Sequence, residues 1–587
     1  MPEQAADQSA HSGQTLCEVL LDSRVGGHNA TLRFLDRHAR PDEQDWAGVR
    51  ERALQVSGQL IALGIAHGER IVLVYATEPD FFAAFFGCML AGAVPCPVYP
   101  PVRLGRMDEY HQRTARMVEL AGARLILASG RIKRVLGGVV ERVRPELGCR
   151  VLAELPDASP GSRAVGVDDL AMLQFSSGTT VEPKPVALSH GAVMAQTRAL
   201  LDHLLEHADG VLASGVCWLP LYHDMGLIGC VFPSLLAPGE LTLMGPEVFI
   251  GRPALWLQTL SKYGGVVSPA PNFAYGLCLD RIKDAEMEGV DLSKWRVALN
   301  GAEPVAPQVL RDFIARFSKW GFQPQALSPV YGLSEASLAL TFSALDQPFE
   351  SARFNAEALS QGRAELDPQG TEIVSVGTPL RGFFVEIRGE GGPVLDGQIG
   401  SVWAKGPSLM REYLGRPELS AKALVDGWLD TGDQGFMHDG QLYLSGRIKD
   451  LLILNGRNHA PHPVEQAVDG IPGVRTGCAA AVSHRAEGAA SEQLVLFVEH
   501  SAQASRAEKE ALPKACNQAV VAATGLACAQ ILLLPPGTLP RTSSGKIRRS
   551  ETLAQHLRGE LVPPDKVHLL KVAGILAESA LGFWRAR

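Results

Sequence analysis

The stretch from Leu173 to His190 reads LQFSSGTTVEPKPVALSH. An apolar run ends in Ser176, Ser177, Gly178, Thr179 and Thr180, and Lys184 follows closely. Small side chains and a glycine let backbone N–H groups turn toward a concave anion site. Hydroxyls add donors and the lysine adds a point charge. The pattern suits a polyphosphate, although read alone it serves equally as an ordinary Ser/Thr-rich loop. It is not the P-loop of NTPases, because G-x-x-x-x-G-K-[ST] is absent.

The segments on either side give the loop its context. Upstream, residues 45–100 have an α/β rhythm. Trp46 to Leu63 has helical spacing, IVLVY after Gly68-Glu69-Arg70 reads as a buried strand, and Phe81 to Ala91 is a helical apolar stretch. The prolines at 95, 97, 100 and 101 are expected to end regular structure there. Helix and strand alternate again from Arg113 to Ala128, which predicts a parallel sheet with helices on its faces.

Downstream, CWLPLYHDMGLIG (217–229) sets His223 and Asp224 inside an apolar run. The pair reads as a capped helix start or as a cavity lining. SPAPNFAYGL (268–277) is a proline-rich turn leading into a helix. VALNGAEPV (297–305) is a strand, a small-residue turn and a helix start. It puts a glycine and a carboxylate at the end of a strand where ligands bind in open α/β sheets. SPVYGLSEAS (328–337) does the same with a ring and Glu335. From Gly377 the texture turns to short alternating runs, predicting a β-rich subdomain over about 377–445 that contains GWLDTGDQG (427–435). From about Asp450 a compact α+β unit is expected, with LPRTSSGKIRR (539–549) as its last strong signal.

At 587 residues the chain calls for about two to four domains. With 46% apolar and 20% charged residues, large cores are expected. The net charge of −8 and the lack of a basic face give no basis for nucleic acid as a partner. MPEQAADQSAHSGQTL lacks the regions of a signal peptide, and no apolar run reaches bilayer length. The ten cysteines form no C-x-x-C pair, and Cys88, Cys230 and Cys278 sit among apolar neighbours. A reduced, cytoplasmic chain is the expectation.

The ordered set FSSGTT…PK, YHDMG, NGAEP, YGLSEAS, GWLDTGD, GRIKD and LPRTSSGKIRR resembles the adenylate-forming superfamily from about Thr31 to Arg549. That superfamily includes acyl-CoA synthetases, luciferases and peptide-synthetase adenylation domains. PVYPP (97–101), WLPLYHDMGLIG, PNFAYGLC (271–278), NGAEPV and GRNHAPHPVE resemble the fatty acyl-AMP ligase branch. So does FNAEALSQGRAELDPQGTEIV (354–374), about twenty residues longer than expected in acyl-CoA synthetases. Read alone, that segment is a tolerated surface loop, since long insertions cost little.

The resemblance implies an α/β enzyme with a large domain over 1–449, a small mobile α+β domain over 450–560 and a helical extension over 561–587. It implies ATP-dependent acyl adenylation of a fatty acid, with Mg²⁺, and acyl transfer to the phosphopantetheine thiol of an acyl carrier protein. Catalysis is then positioning and charge stabilisation around a poorly electrophilic carboxylate. By the same resemblance Ser176 to Thr180 and Lys184 cradle the β and γ phosphates. Gly301, Ala302 and Glu303 border the adenine, with Tyr331 against its face and Gly332 beside it. Ser334 approaches the α-phosphate, and Glu335 helps hold Mg²⁺. Asp433 accepts from the ribose hydroxyls, Arg447 reaches ribose or phosphate, and Lys546 contacts the developing charge. His223, Met225, Gly226, Ile228 and Phe273 line the acyl site, His223 also being a catalytic candidate, and Asp450 is the hinge.

Two residues depart from the family pattern. Val181 and Pro185 stand where glycine is usual, one stiffening the loop and the other deleting an N–H. The alternatives are an acyl-CoA synthetase and a weakly catalytic nucleotide- or acyl-binding homologue. Asp565 to Arg587 lies beyond the match and reads as an amphipathic helix docked on the protein or a partner, with weak membrane attachment as the alternative.

Overall fold

The structure, a computed structural model, describes residues 13–586 apart from 23–29, 102–103, 177–181, 208–213, 238, 346, 455–456, 486–491, 543–544 and 565–568. Of the phosphate-loop expectations, Ser177, Gly178, Thr179, Thr180 and Val181 lie outside the described residues.

The fold is α/β. Six strands run parallel in the order Leu327–Gly332, Val297–Asn300, Val267–Ala270, Ser214–Cys217, Glu240–Met244 and Thr31–Leu35. Antiparallel edge strands extend this sheet to nine. A second sheet of four parallel strands is ordered Val94–Val98, Arg70–Val74, Leu125–Ala128 and Cys149–Arg150. The helices Trp46–Ala62 and Pro79–Leu90 carry the expected apolar faces into the largest core. Rings of Trp46, Phe82, Phe85 and Phe86 meet there at centroid distances of 5.4–6.2 Å, in tilted and edge-on pairs.

One expectation is corrected. Pro95 and Pro97 do not end regular structure; they lie inside the strand Val94–Val98. That strand is at the sheet edge and, among the described residues, pairs only with Arg70–Val74. Val94 N–H donates inward to the Glu69 carbonyl at 2.8 Å. Alternation then turns the positions of residues 95 and 97 outward, so the missing donors fall on the unpaired side.

The motif loops leave from the ends of these strands. Leu170–Ser176 pairs antiparallel with Lys184–Ser189, which pairs in turn with Glu412–Tyr413. Pro185 sits in this ladder, and its carbonyl accepts from Leu414 N–H at 2.8 Å. N–H and C=O of one strand residue point to the same side, so the donor lost at Pro185 is missing from the short pairing and not from the one with Leu170–Ser176.

The β-rich region contains Phe384–Gly389, Gly400–Lys405, Trp428–His438 and Gln441–Arg447 in one antiparallel sheet. The segment 354–374 closes a hairpin of Ser351–Phe354 and Thr371–Val374 and carries the short helix Ala356–Ser360. Phe354 packs at 4.9 Å from Phe436 and 5.5 Å from Tyr443, which seats the hairpin on this sheet. Arg457, on the Arg457–His459 strand of the C-terminal part, pairs with Glu357 at 3.3 Å. The insertion therefore touches both the β-rich sheet and the C-terminal part.

That part has its own cores around the sheet Val474–His484, Gln493–His500 and Gln530–Leu534. The chain then returns to its beginning. Helix Leu569–Arg585 docks on helix Gly137–Val143, with Ile575 buried in the core of the four-stranded sheet. The expected amphipathic helix thus rests on the protein itself. Gly137 N–H donates to Ser579 Oγ at 2.8 Å, and Arg585 reaches Glu141 at 3.2 Å. A Cβ on Gly137 would overlap the Ser579 carbonyl, and one on Gly582 would come within 2.6 Å of the Gly137 carbonyl carbon. Alanine otherwise favours a helix over glycine, so Gly137→Ala isolates the close approach. It is expected to release the last helix, and limited proteolysis should cut the variant C-terminal to residue 560 faster than the parent chain. Unchanged protection would show that something other than this contact holds the helix. Among the described residues, no helix is long and apolar enough to cross a membrane.

Candidate active site

The site forms where the strand ends of the large sheet meet the β-rich sheet and the residues around Lys546. Its first group is built on a ladder pair. Asp433 on Trp428–His438 faces Arg447 on Gln441–Arg447, and Arg447 Nε donates to Asp433 Oδ1 at 3.0 Å. Tyr331 Oη donates to the other oxygen, Oδ2, at 2.7 Å. Asp433 is 8% exposed, in a strand and not in a turn. Each carboxylate oxygen keeps a second acceptor direction. Asp433 is the main cause that holds the Arg447 guanidinium above its usual range.

Gly332 follows Tyr331 at a β-bulge. A Cβ there would overlap the Leu338 carbonyl, so the backbone crossing requires glycine. Gly301 and Ala302 form the turn after Val297–Asn300. Ala302 takes φ +71°, a conformation uncommon outside glycine. Glu303 in the next position accepts the Phe273 N–H at 2.6 Å, at the start of helix Asn272–Arg281. Burial raises the Glu303 pKa, against the pull of that N–H and of Lys546.

The second group is centred on Asp224. Its Oδ1 lies 2.5 Å from His223 Nδ1, and Ser334 Oγ donates to Oδ2 at 2.5 Å. Burial opposes ionisation of Asp224. His223, Ser334 and the Met225 N–H outweigh it and hold the carboxyl down at about 2. His223 stands at the N-cap position of the short helix Asp224–Gly226 without a side-chain capping bond, and the helix runs into a π-helical turn, Leu227–Val231. Such turns recur at functional sites. Met225 and Ile228 are buried in the main core, and a Cβ on Gly226 would crowd the Pro220 carbonyl. Phe273 stands edge-on to Trp218 at 6.0 Å, and Gly545 approaches its ring.

The third group joins Glu335 to Lys184 and was not legible in the motifs. Tyr413 Oη donates to Glu335 Oε1 at 2.7 Å, and Lys184 Nζ lies 3.4 Å from that hydroxyl. Burial lowers the Lys184 pKa while Glu335 raises it. Ser337 takes φ +64° just beyond Glu335, and its hydroxyl donates to the Ser408 carbonyl at 2.7 Å. The stretch 408–413 therefore braces the SEAS turn. Ser176 ends its strand opposite Lys184.

Lys546 completes the site. It is half-buried, and burial and Arg447 lower its pKa against Asp224, Glu303 and Asp433. Lys184, Arg447 and Lys546 thus gather at partly desolvated positions, an arrangement that an anionic ligand would stabilise. Asp450 lies three residues beyond Arg447, and its charge helps to raise the Arg447 pKa. It ends the turn Ile448–Asp450, and its Oδ2 accepts from Arg549 at 3.2 Å.

The AMP-binding enzyme model matches residues 28–414. A putative acyl-CoA synthetase of Caulobacter vibrioides is 34% identical over 92% of this chain and 95% of its own. The medium-chain-fatty-acid–[acyl-carrier-protein] ligase JamA of Moorena producens is 33% identical over 85% of this chain and 87% of its own. A structure from a study of fatty acyl-adenylate ligases from E. coli and L. pneumophila superposes with a TM-score of 0.86 at 31% identity, covering 93% of this chain and 98% of that one. The chain belongs to the AMP-binding enzyme family, as an ATP-dependent acid ligase in the fatty acyl-AMP ligase branch of the adenylate-forming superfamily.

Proposed function

We propose that this chain converts a fatty acid and ATP to an acyl-adenylate and pyrophosphate, then passes the acyl group to the phosphopantetheine thiol of a carrier protein. The observation that carries this reading is that Lys546 is half-buried beside Gly545, which approaches the Phe273 ring, and is within reach of the charges of Arg447, Asp224, Glu303 and Asp433. A carboxylate oxygen of the acid attacks the α-phosphorus and the bond to the β-phosphate oxygen breaks. Two anions must meet for this, so the chain's work is to gather cations and exclude water.

In this reading Lys546 reaches the acid and the α-phosphate, and Lys184, with Ser176 and the loop after it, takes the β and γ phosphates. Asp433 accepts from the ribose. Arg447, already set by Asp433, turns its remaining donors to ribose or phosphate. Tyr331 and the Gly301–Ala302–Glu303 turn border the adenine. Ser334 exchanges its bond to Asp224 for the α-phosphate, and His223, Met225, Gly226, Ile228 and Phe273 form the acyl side. Glu335 suits Mg²⁺: Oε1 is held by Tyr413, and Oε2 has no hydrogen-bond partner among the described residues. Mg²⁺ binds through one or two carboxylates plus substrate phosphates, and there it would offset phosphate charge. Residues 450–560 then act as the mobile unit that carries Lys546 in and out. Pyrophosphate release with a panel of fatty acids tests the first step. Release that no acid in the panel stimulates would contradict it.

The choice of carrier thiol over CoA draws support from the insertion, whose Glu357 pairs with Arg457 while Phe354 is fixed on the β-rich sheet. It links the two parts that must move against each other. Removing 356–369 keeps the hairpin and Phe354 but deletes Glu357. This variant is expected to retain adenylation and raise acyl-CoA formation about fivefold or more. Glu357→Lys should give a smaller gain, since an exposed pair is worth little alone. Adenylation without any gain in acyl-CoA would remove the insertion as the cause of selectivity.

A further inference from the structure

Lys184 and Glu335 share one neighbour, the phenol of Tyr413. Its hydroxyl donates to Glu335 Oε1 at 2.7 Å. Lys184 Nζ lies 3.4 Å from that oxygen and 4.7 Å from the ring centroid. The tyrosine itself is fixed. It is 4% exposed, pairs with Val186 across the ladder, and donates its N–H to Ser420 Oγ at 2.9 Å. The main chain of Glu335 is tied to the same stretch, because Met410 N–H donates to its carbonyl at 2.7 Å.

We propose that Tyr413 is a positioning residue that sets the metal-facing carboxylate and the phosphate-facing ammonium relative to each other. The proposal rests on the reading of Glu335 and Lys184 given above. A carboxylate held through one oxygen presents the other in one direction, and partners behind a ligand of this kind tune its affinity for the metal. A lysine on four flexible carbons lacks such direction, and a ring beneath the ammonium supplies it. One rigid side chain therefore spaces an anion and a cation, and a tripolyphosphate with its divalent ion presents the complementary pair.

The test uses the full chain and three variants. Tyr413→Phe keeps the ring and loses the hydroxyl, Tyr413→Leu loses both, and Glu335→Gln is the reference for the metal. Mn²⁺ binding is read by electron paramagnetic resonance with a non-hydrolysable ATP analogue present, and pyrophosphate release is titrated with Mg²⁺ and with ATP. Tyr413→Phe is expected to weaken Mn²⁺ binding and raise the Mg²⁺ requirement about tenfold, the loss of a hydrogen bond to a charged group. At saturating Mg²⁺ its kcat should fall about threefold, a smaller change than the shift in metal requirement. Tyr413→Leu should add a rise of about fivefold in the KM for ATP through Lys184. If Glu335→Gln binds Mn²⁺ normally, the metal reading of Glu335 fails and this proposal with it. If Glu335→Gln weakens Mn²⁺ binding and Tyr413→Phe does not, only the positioning role is overturned. A loss of kcat in Tyr413→Phe that is equal at every Mg²⁺ concentration, with Mn²⁺ binding unchanged, would likewise reduce Tyr413 to a packing residue.

Discussion

Lys546→Ala is expected to lower acyl-adenylate formation by roughly a hundredfold or more, the loss of about 3 kcal/mol of stabilisation at a developing anion. The loop that carries the lysine does not depend on its side chain. Thr542 N–H donates to the Lys546 carbonyl at 2.8 Å, and Lys546 N–H returns to Thr542 Oγ1 at 3.1 Å. Arg541 clamps the Gly545 carbonyl at 2.7 Å and the Gly477 carbonyl at 2.8 Å. The ammonium sits where burial and Arg447 disfavour its charge, so its removal should not weaken the fold. Pyrophosphate release and a thermal melt are the paired measurements. Near-normal release would show the lysine assignment to be wrong, and a large drop in melting temperature would mean that the variant reports folding instead.

The second large effect is expected at Asp450. Arg447 is bonded to Asp433 on the β-rich sheet, whereas Asp450 is bonded to Arg549. Arg549 also grips Glu465 with two bonds of 2.6 Å. The chain is thus anchored on one side of Ile448 and Lys449 and on the other, and both of these residues are exposed. Any rotation of the C-terminal part has to be absorbed in this short span. Asp450→Pro fixes φ and restricts Lys449 as well. It is expected to spare much of one half-reaction and shift the ratio of adenylation to thioester formation by about a hundredfold, as a gating step would. The variant also loses the bond to Arg549, so Asp450→Ala is the necessary companion. It removes the carboxylate, keeps the torsions free, and should leave the ratio near that of the parent chain. Equal slowing of both steps by the proline would show that Asp450 is not the pivot.

What the sequence revealed, and what it concealed, follows from how local each signal is. The strand–turn–helix of VALNGAEPV and the SEAS turn were legible because strand, small residues and polar group are adjacent in the chain. The pairing of Asp433 with Arg447 was half-legible. Both motifs stood out, but their register across two strands is set by the hairpin between them. Tyr413 was not legible, because it lies 78 residues from Glu335 and 229 from Lys184, in a run that read only as β texture. Pro95 and Pro97 misled for a related reason. A proline is a breaker when judged locally, but at a sheet edge only the side it faces matters, and the sheet decides that. The bond from Phe273 N–H to the Glu303 carboxylate was not legible either, because the two residues lie 30 positions apart.

The acyl-adenylate formed here is expected to pass its acyl group to a carrier thiol. The most direct measurement is mass spectrometry of the products when ATP, a fatty acid, CoA and a phosphopantetheinylated carrier protein are supplied together. An acyl-adenylate intermediate and a carrier carrying the acyl mass are expected, with acyl-CoA a minor product. Acyl-CoA as the main product, with the carrier left unacylated, would contradict it.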